Sequence, residues 1–423
     1  MLSVLGNAAY RKLFTAQVVA LLGTGLLTIA LGLLAFDLAG SRAGAVLGTA
    51  LTIKMVAYVV VAPVMAALVD RLPRKAVLVG ADLVRAGIAL SLPFIDQVWQ
   101  IYVLVFILQS ASATFTPAFQ ALIPVVLPGE RDYTKALSLS RLAYDLESLL
   151  SPLLAAVLLT VVSFSDLFVG TMVGFLVSAA IVLGTRFPVI PAPVQQGSLL
   201  HRTTLGGRIF LREPTLRGLL ALNLVVAAAT ALVLVNTVVY ARALFGGSNT
   251  DVALALAFYG GGSMLVAFLA PRVLERTPDR TFMLAGAVVL TAGLPVAALL
   301  ALAGQGGASP TGGPWALLLG LWVVLGIGTS MISTPSARLL RRTATDTTRS
   351  HLFTAQFSLS HACFMLTYPV AGWVGAAAGQ AASALALSGL ALAGTVVGFA
   401  VWPAAGRGGT TTTAGSASGS ARG

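Results

Sequence analysis

Apolar stretches of 18 or more residues recur along the chain, each long enough to cross a bilayer as a helix. They lack the alternation of barrel strands. In hydrocarbon every backbone polar group needs an internal partner, so helices are what remains. An all-α integral membrane protein is expected. Charge usage agrees: 9% of the 423 residues are Asp, Glu, Lys or Arg, against about a quarter in soluble domains. The single cysteine, Cys363, excludes an internal disulfide and any multi-cysteine metal site. No Walker-type G-K-[ST] occurs, which disfavours ATP-driven work. Gly23-Thr24-Gly25 and Gly260-Gly261-Gly262 lie inside spans and read as places of close helix approach. No cofactor is expected.

Twelve spans are predicted, at about 13–36, 45–69, 76–94, 99–121, 136–161, 166–186, 215–240, 251–273, 281–303, 314–335, 352–375 and 379–403. The first is too long for a signal h-region, so it reads as a span and not a removed leader. Of the 26 Lys and Arg, 21 then fall on one side, two (Arg42 and Arg242) on the other, and three (Lys54, Arg85 and Arg141) within spans. That asymmetry places the basic face and both termini in the cytoplasm. It also explains the net charge of +12 without nucleic acid, through topology and anionic lipid.

The chain repeats itself. Asp70-Arg71-Leu72-Pro73-Arg74-Lys75 follows span 2, and Glu275-Arg276-Thr277-Pro278-Asp279-Arg280 follows span 8. Thr116-Pro117 ends span 4 as Thr334-Pro335 ends span 10, and Ser138-Leu139-Ser140 in span 5 matches Ser358-Leu359-Ser360 in span 11. The ordered matches give two six-helix bundles, 1–186 and 215–403, a linker at 187–214 and a low-complexity tail at 404–423. Parallel six-span repeats suggest a transporter with its site at the midplane between the halves.

The segment "ALVDRLPRKAVLV" (67–79) resembles the signature loop of the major facilitator superfamily, G-x-x-x-D-R-x-G-R-[RK]. Asp70, Arg71, Arg74 and Lys75 match; Ala66 and Pro73 replace the glycines. The connector "LGGRIFLREPTLRGLLAL" (205–222) is similar to that of twelve-span bacterial exporters of the drug–proton antiporter type. The resemblance implies the major facilitator fold in a bacterial inner membrane. It also implies that Asp70, Arg71 and Arg74 latch the cytoplasmic helix ends in one state. Those exporters carry a Gly-Pro pair on the fifth helix; here it is Ser151-Pro152.

Span 5 contains "SLSRLAYDLESLLSP" (138–152). At 100° per residue, Ser140, Tyr144, Glu147 and Ser151 fall together, with Arg141, Asp145, Ser148 and Pro152 beside them and leucines opposite. Asp145 and Glu147 lie about 14 and 16 Å from the start of the span, near the middle of a ~30 Å core. A carboxylate there needs water or a base. Asp145 can pair with Arg141 at i,i+4. Glu147 has no basic neighbour on its face and is the better candidate to take up and release a proton. Asp82 and Arg85 can pair within span 3, as latch or plain structure. Lys54 can balance a carboxylate, meet an anionic substrate or snorkel outward.

His361 shares a face with Met365 and Tyr368, and can carry a proton, ligate a soft cation or be structural. Gln17, Thr24, Thr28, Gln109, Asn223, Asn236, Tyr259 and Gln356 are scattered polar groups that could line a cavity. The expected function is export of a hydrophobic or cationic small molecule by a monomer, driven by inward proton flow. The alternatives are efflux of a divalent metal or a siderophore, and a non-transporting receptor or assembly factor.

Overall fold

The computed structural model describes residues 2–61, 73–187, 207–304, 312–343 and 349–403. Asp70, Arg71, most of the 187–214 linker, the 404–423 tail and the side chains of Arg141 and Asp145 lie outside the described residues. In the first half the helices are α1 (Ala8–Ala39), α2 (Ala43–Val56), α3 (Arg74–Ser91), α4 (Val98–Val126), α5 (Glu130–Leu158) and α6 (Phe164–Leu183). The second half contributes α7 (Pro214–Val238), α8 (Asn249–Val273), α9 (Asp279–Gly304), α10 (Gly313–Thr343), α11 (Arg349–Pro369) and α12 (Gln380–Val401). Each predicted span has its helix. Wide π turns extend α2 through Ala57–Val61, α7 through Val239–Leu244 and α11 through Val370–Val374.

Local sequence sets the ends. Asn7 caps α1 by accepting from the amides of Ala9 and Tyr10, satisfying donors that have no partner inside the helix. Ser163 with Asp166, and Ser248 with Asp251, form capping boxes on α6 and α8. Nine described stretches have the length and apolarity to cross a membrane; Ala8–Val61 runs α1 and α2 together, and α5 and α11 are not among the nine. Large apolar side chains face outward from most of the helices, among them Phe106, Val157, Leu176, Phe268, Leu317 and Leu392. A surface of that kind suits hydrocarbon.

The two halves repeat the same packing. In the first, α1 lies on α5 and α6, and α3 on α4 and α6; in the second, α7 lies on α11 and α12, and α9 on α10 and α12. The halves meet through α2 against α11 and α5 against α8. Exchanging the halves turns one of these contacts into the other, as a pseudo-twofold axis requires. The repeated signature loop also does one job twice. Lys75, at the start of α3, donates to the carbonyls of Leu183 and Thr185 at the end of α6. Arg280, at the start of α9, donates to those of Phe399 and Trp402 at the end of α12. A cation there meets the last unpaired carbonyls and the negative end of the helix dipole.

On the face opposite the basic loops, α2 and α11 interlock. A Cβ on Gly372 would lie 2.3 Å from the carbonyl oxygen of Gly44, and one on Gly48 2.6 Å from that of Tyr368. Only glycine permits so close a backbone approach. The Trp373 indole N–H donates to the Thr49 hydroxyl at 3.0 Å, and the Arg242 guanidinium lies 5.0 Å from the centre of the Phe36 ring. Both of these contacts also cross between the halves. The Gly260–Gly262 run likewise marks a close crossing: a Cβ on Gly262 would lie 2.1 Å from the carbonyl oxygen of Val323 on α10.

Candidate functional site

Glu147 stands where α5 crosses α1. The crossing is built on Gly25, where a Cβ would lie 2.0 Å from the Ser151 hydroxyl and 2.7 Å from a Glu147 carboxylate oxygen. The glycine therefore admits the polar arc of α5 to the interior. Ser151 is buried, and among the described residues its hydroxyl has no hydrogen-bond partner. Glu147 is half-buried, and among the described residues no cation lies within ion-pairing distance of it. It does lie in the electrostatic field of Lys54 on α2.

Around this pair stand residues from both halves. Tyr58, one turn beyond Lys54, shares the field of Glu147, Tyr144 and Arg85. Across the α2–α11 contact its ring faces His361 at 5.8 Å and Phe357 at 6.3 Å. The His361 ring lies tilted against that of Phe357 with centres 4.0 Å apart, and its Nδ1 lies 2.6 Å from the Phe357 carbonyl, to which it donates. Lys54 thus acts electrostatically both on Glu147 in its own half and on His361 across the α2–α11 contact. Sequence reasoning missed Tyr58 and Phe357, although both lie four residues from a singled-out residue, Lys54 or His361.

The expected cavity residues divide into two sets. Thr28, Lys54 and Gln109 do come together, with Leu27, Leu47 and Val105, around a cleft of about 20 Å³ between α1, α2 and α4. That space suits one or two waters rather than a drug-sized ligand. The others make hydrogen bonds or packing contacts within their own halves. Gln17 accepts from Ser140, linking α1 to α5. Asn223 and Gln356 exchange a pair of hydrogen bonds, linking α7 to α11, the repeat-equivalent pair. Asn236 is fully buried and donates to Ser383 and the Ala371 carbonyl. Tyr259 bonds Thr230 and Thr329. Thr24 donates back to the Ala20 carbonyl. Met365 packs on the core, and Tyr368 is buried against Phe364. A polar group between helices is stabilised by its nearest partner, and no helical-wheel position shows which neighbour supplies one.

Asp82 and Arg85 form a buried ion pair within the first half. The Ser178 hydroxyl donates to the second Asp82 oxygen at 2.7 Å, and the rings of Phe115 and Phe175 lie 4.3 and 4.4 Å from the guanidinium. The pair ties α3 to α4 and α6, so its direct contacts are within one half rather than between the two. Removing one partner strands the other charge in apolar surroundings. Asp82→Ala is expected to destabilise the protein by about 3–5 kcal/mol, read as a lowered melting temperature in nanodiscs. Asp82→Leu combined with Arg85→Met should recover most of the loss, because the double change leaves no charge unpaired.

The second half has its own buried acid. Asp279 accepts from Arg338 and, at 2.8 Å, from Arg342, joining the start of α9 to the end of α10. Among the described residues no three His, Cys, Asp or Glu side chains gather as a metal site would require.

Twelve long helices among the described residues, in twofold-related halves with apolar outer faces, define a multi-pass membrane protein. The chain belongs to the Major Facilitator Superfamily, whose family model matches residues 13–308. It is a transporter and not an enzyme. It is 28% identical over 222 residues to macrolide efflux protein A of Streptococcus pyogenes, covering 51% of this chain and 54% of that protein. It is 30% identical over 174 residues to macrolide efflux protein A of Enterococcus faecalis, covering 40% and 53%. The match thus spans about half the length of these relatives. Among solved structures, a point mutant of the nucleoside transporter NupG superposes with a TM-score of 0.75 at 14% identity, over 93% of this chain and 100% of that one. A bacterial homologue of the lysosomal transporter Spinster, inward-facing and unoccupied, superposes at 0.70 and 13% identity, over 93% and 96%.

Proposed function

We propose that this protein exports a hydrophobic or cationic small molecule across a bacterial inner membrane, as a monomer, by proton-coupled alternating access. The basic face and both ends lie in the cytoplasm. One observation carries the reading: Glu147 on α5 has no ion partner among the described residues and lies in the field of a lysine whose helix packs on the opposite half. A proton on Glu147 removes the attraction to Lys54 and so changes the α2–α5 relation next to the α2–α11 contact. Coupling then follows from differential affinity, with the proton and the substrate favouring opposite states. His361, in the field of the same lysine, extends this coupling to the second half, and Asp145 is a further candidate. Asp70, Arg71 and Arg74 latch the cytoplasmic ends. The macrolide efflux relatives favour a large, mostly apolar cargo over a metal ion.

Proteoliposomes loaded with a pH-sensitive dye test this directly. Under an imposed pH gradient, adding a macrolide should speed proton movement, whereas nickel ions should not. Proton movement indifferent to every substrate offered, with the protein correctly inserted, would sink the proposal.

A further inference from the structure

On the basic face, the crossing of α1 and α6 leaves a cleft of about 310 Å³ lined by Arg11, Lys12, Thr15, Ile181 and Gly184. Both cations are exposed. Arg11 donates to the Leu5 carbonyl at 3.3 Å and Lys12 to the Gly184 carbonyl at 3.4 Å. Each keeps further N–H groups for another acceptor. No carboxylate lines the cleft. The negative end of α6 beside it is already met by Lys75. The cleft lies at the end of the apolar spans, the depth at which acyl chains give way to headgroups.

The second half shows what such a crossing needs. Arg217 and Gly218 on α7 stand 206 residues after Arg11 and Lys12, and Trp402 after α12 stands 218 residues after Gly184. There the Trp402 side chain packs on Gly218, so close that a Cβ on the glycine would lie 2.9 Å from it. Trp402 is buried. In the first half glycine replaces the tryptophan, and the slender Lys12 does not fill the space. The missing occupant is therefore apolar in body and, by the charge of Arg11 and Lys12, anionic at its tip.

We propose that the α1–α6 cleft seats one anionic phospholipid of the leaflet on the basic face. Its phosphodiester lies on Arg11 and Lys12, and its glycerol and acyl portion fills the cleft. Basic recesses between membrane helices suit such headgroups.

Native mass spectrometry of the purified full-length protein, with phosphatidylglycerol, phosphatidylcholine or inorganic phosphate added, tests this. Wild type should retain one phosphatidylglycerol in preference to phosphatidylcholine, and excess inorganic phosphate should not displace it. Arg11→Gln with Lys12→Gln should weaken retention about thirtyfold, at roughly one charge contribution each. Arg11→Lys with Lys12→Arg should restore it. Gly184→Trp, which copies the second half, should expel the lipid while keeping both charges. Equal binding of the two lipids, displacement by phosphate, or unaltered retention in the Gln pair or in Gly184→Trp would each overturn the assignment.

Discussion

Glu147→Gln is expected to abolish gradient-driven transport while leaving substrate exchange at equal pH in place. The amide keeps the shape of the side chain at the Gly25 crossing, so helix packing is preserved. What disappears is a charge that can be switched off by a proton. Couplings of this kind amount to about 1–3 kcal/mol, or about 5–150-fold in the ratio of states. Accumulation under a pH gradient should therefore fall by one to two orders of magnitude. Its dependence on pH should flatten as well, because the titrating group is gone. Lys54→Gln provides the comparison. Glu147 would lose its nearby counter-charge, and the pH profile should move rather than vanish. Undiminished accumulation by Glu147→Gln would remove this carboxylate from the mechanism and leave its through-space interaction with Lys54 as a structural feature.

The second large effect is expected at Gly372. Its would-be Cβ meets backbone atoms: the Gly44 carbonyl oxygen at 2.3 Å, the Gly44 carbonyl carbon at 3.0 Å and the Ala45 Cα at 3.1 Å. No side chain can rotate away to make room, so Gly372→Ala must push α2 and α11 apart. Overpacking of this sort costs about 1–3 kcal/mol, and the cost falls on the state in which this face is closed. The ratio of closed to open should drop about 5–150-fold. Spin labels at Arg42 and Ala378, both exposed at the ends of α2 and α11 on this face, would report a longer and broader distance. Turnover should fall with it, since alternating access needs both states populated. A distance distribution identical to wild type would show that the glycine contact does not govern the seam. Gly218→Ala offers a control outside the seam: its close neighbour is the Trp402 side chain within one half.

Much of the architecture is legible in the sequence because the bilayer is a harsh solvent. It forces helices and sorts the bases to one face, so each predicted span has its helix, although some run on past the predicted ends, as α10 does to Thr343. The duplicated loop showed the two halves, and the structure gives a physical reason for its last base: Lys75 and Arg280 each meet the carbonyl end of the final helix of their half. The Asp82–Arg85 pair was legible too, since a spacing of three on one helix suffices to bring the side chains together. The polar residues were less readable. Gln17, Asn223 and Tyr259 looked like lining, yet each is hydrogen-bonded to a neighbouring helix of its own half.

By itself, then, the sequence determined the helices, their duplication and the position of Glu147 on an inward-turned polar face. These are properties of one segment against its solvent, governed by transfer free energy and helical periodicity. Only the tertiary structure decided that Lys54 acts on both Glu147 and His361, that α2 and α11 lock glycine to glycine, and that the two halves differ at Gly184 and Trp402. Such facts depend on which helices touch and at what depth, and long-range packing is encoded in no single stretch of chain.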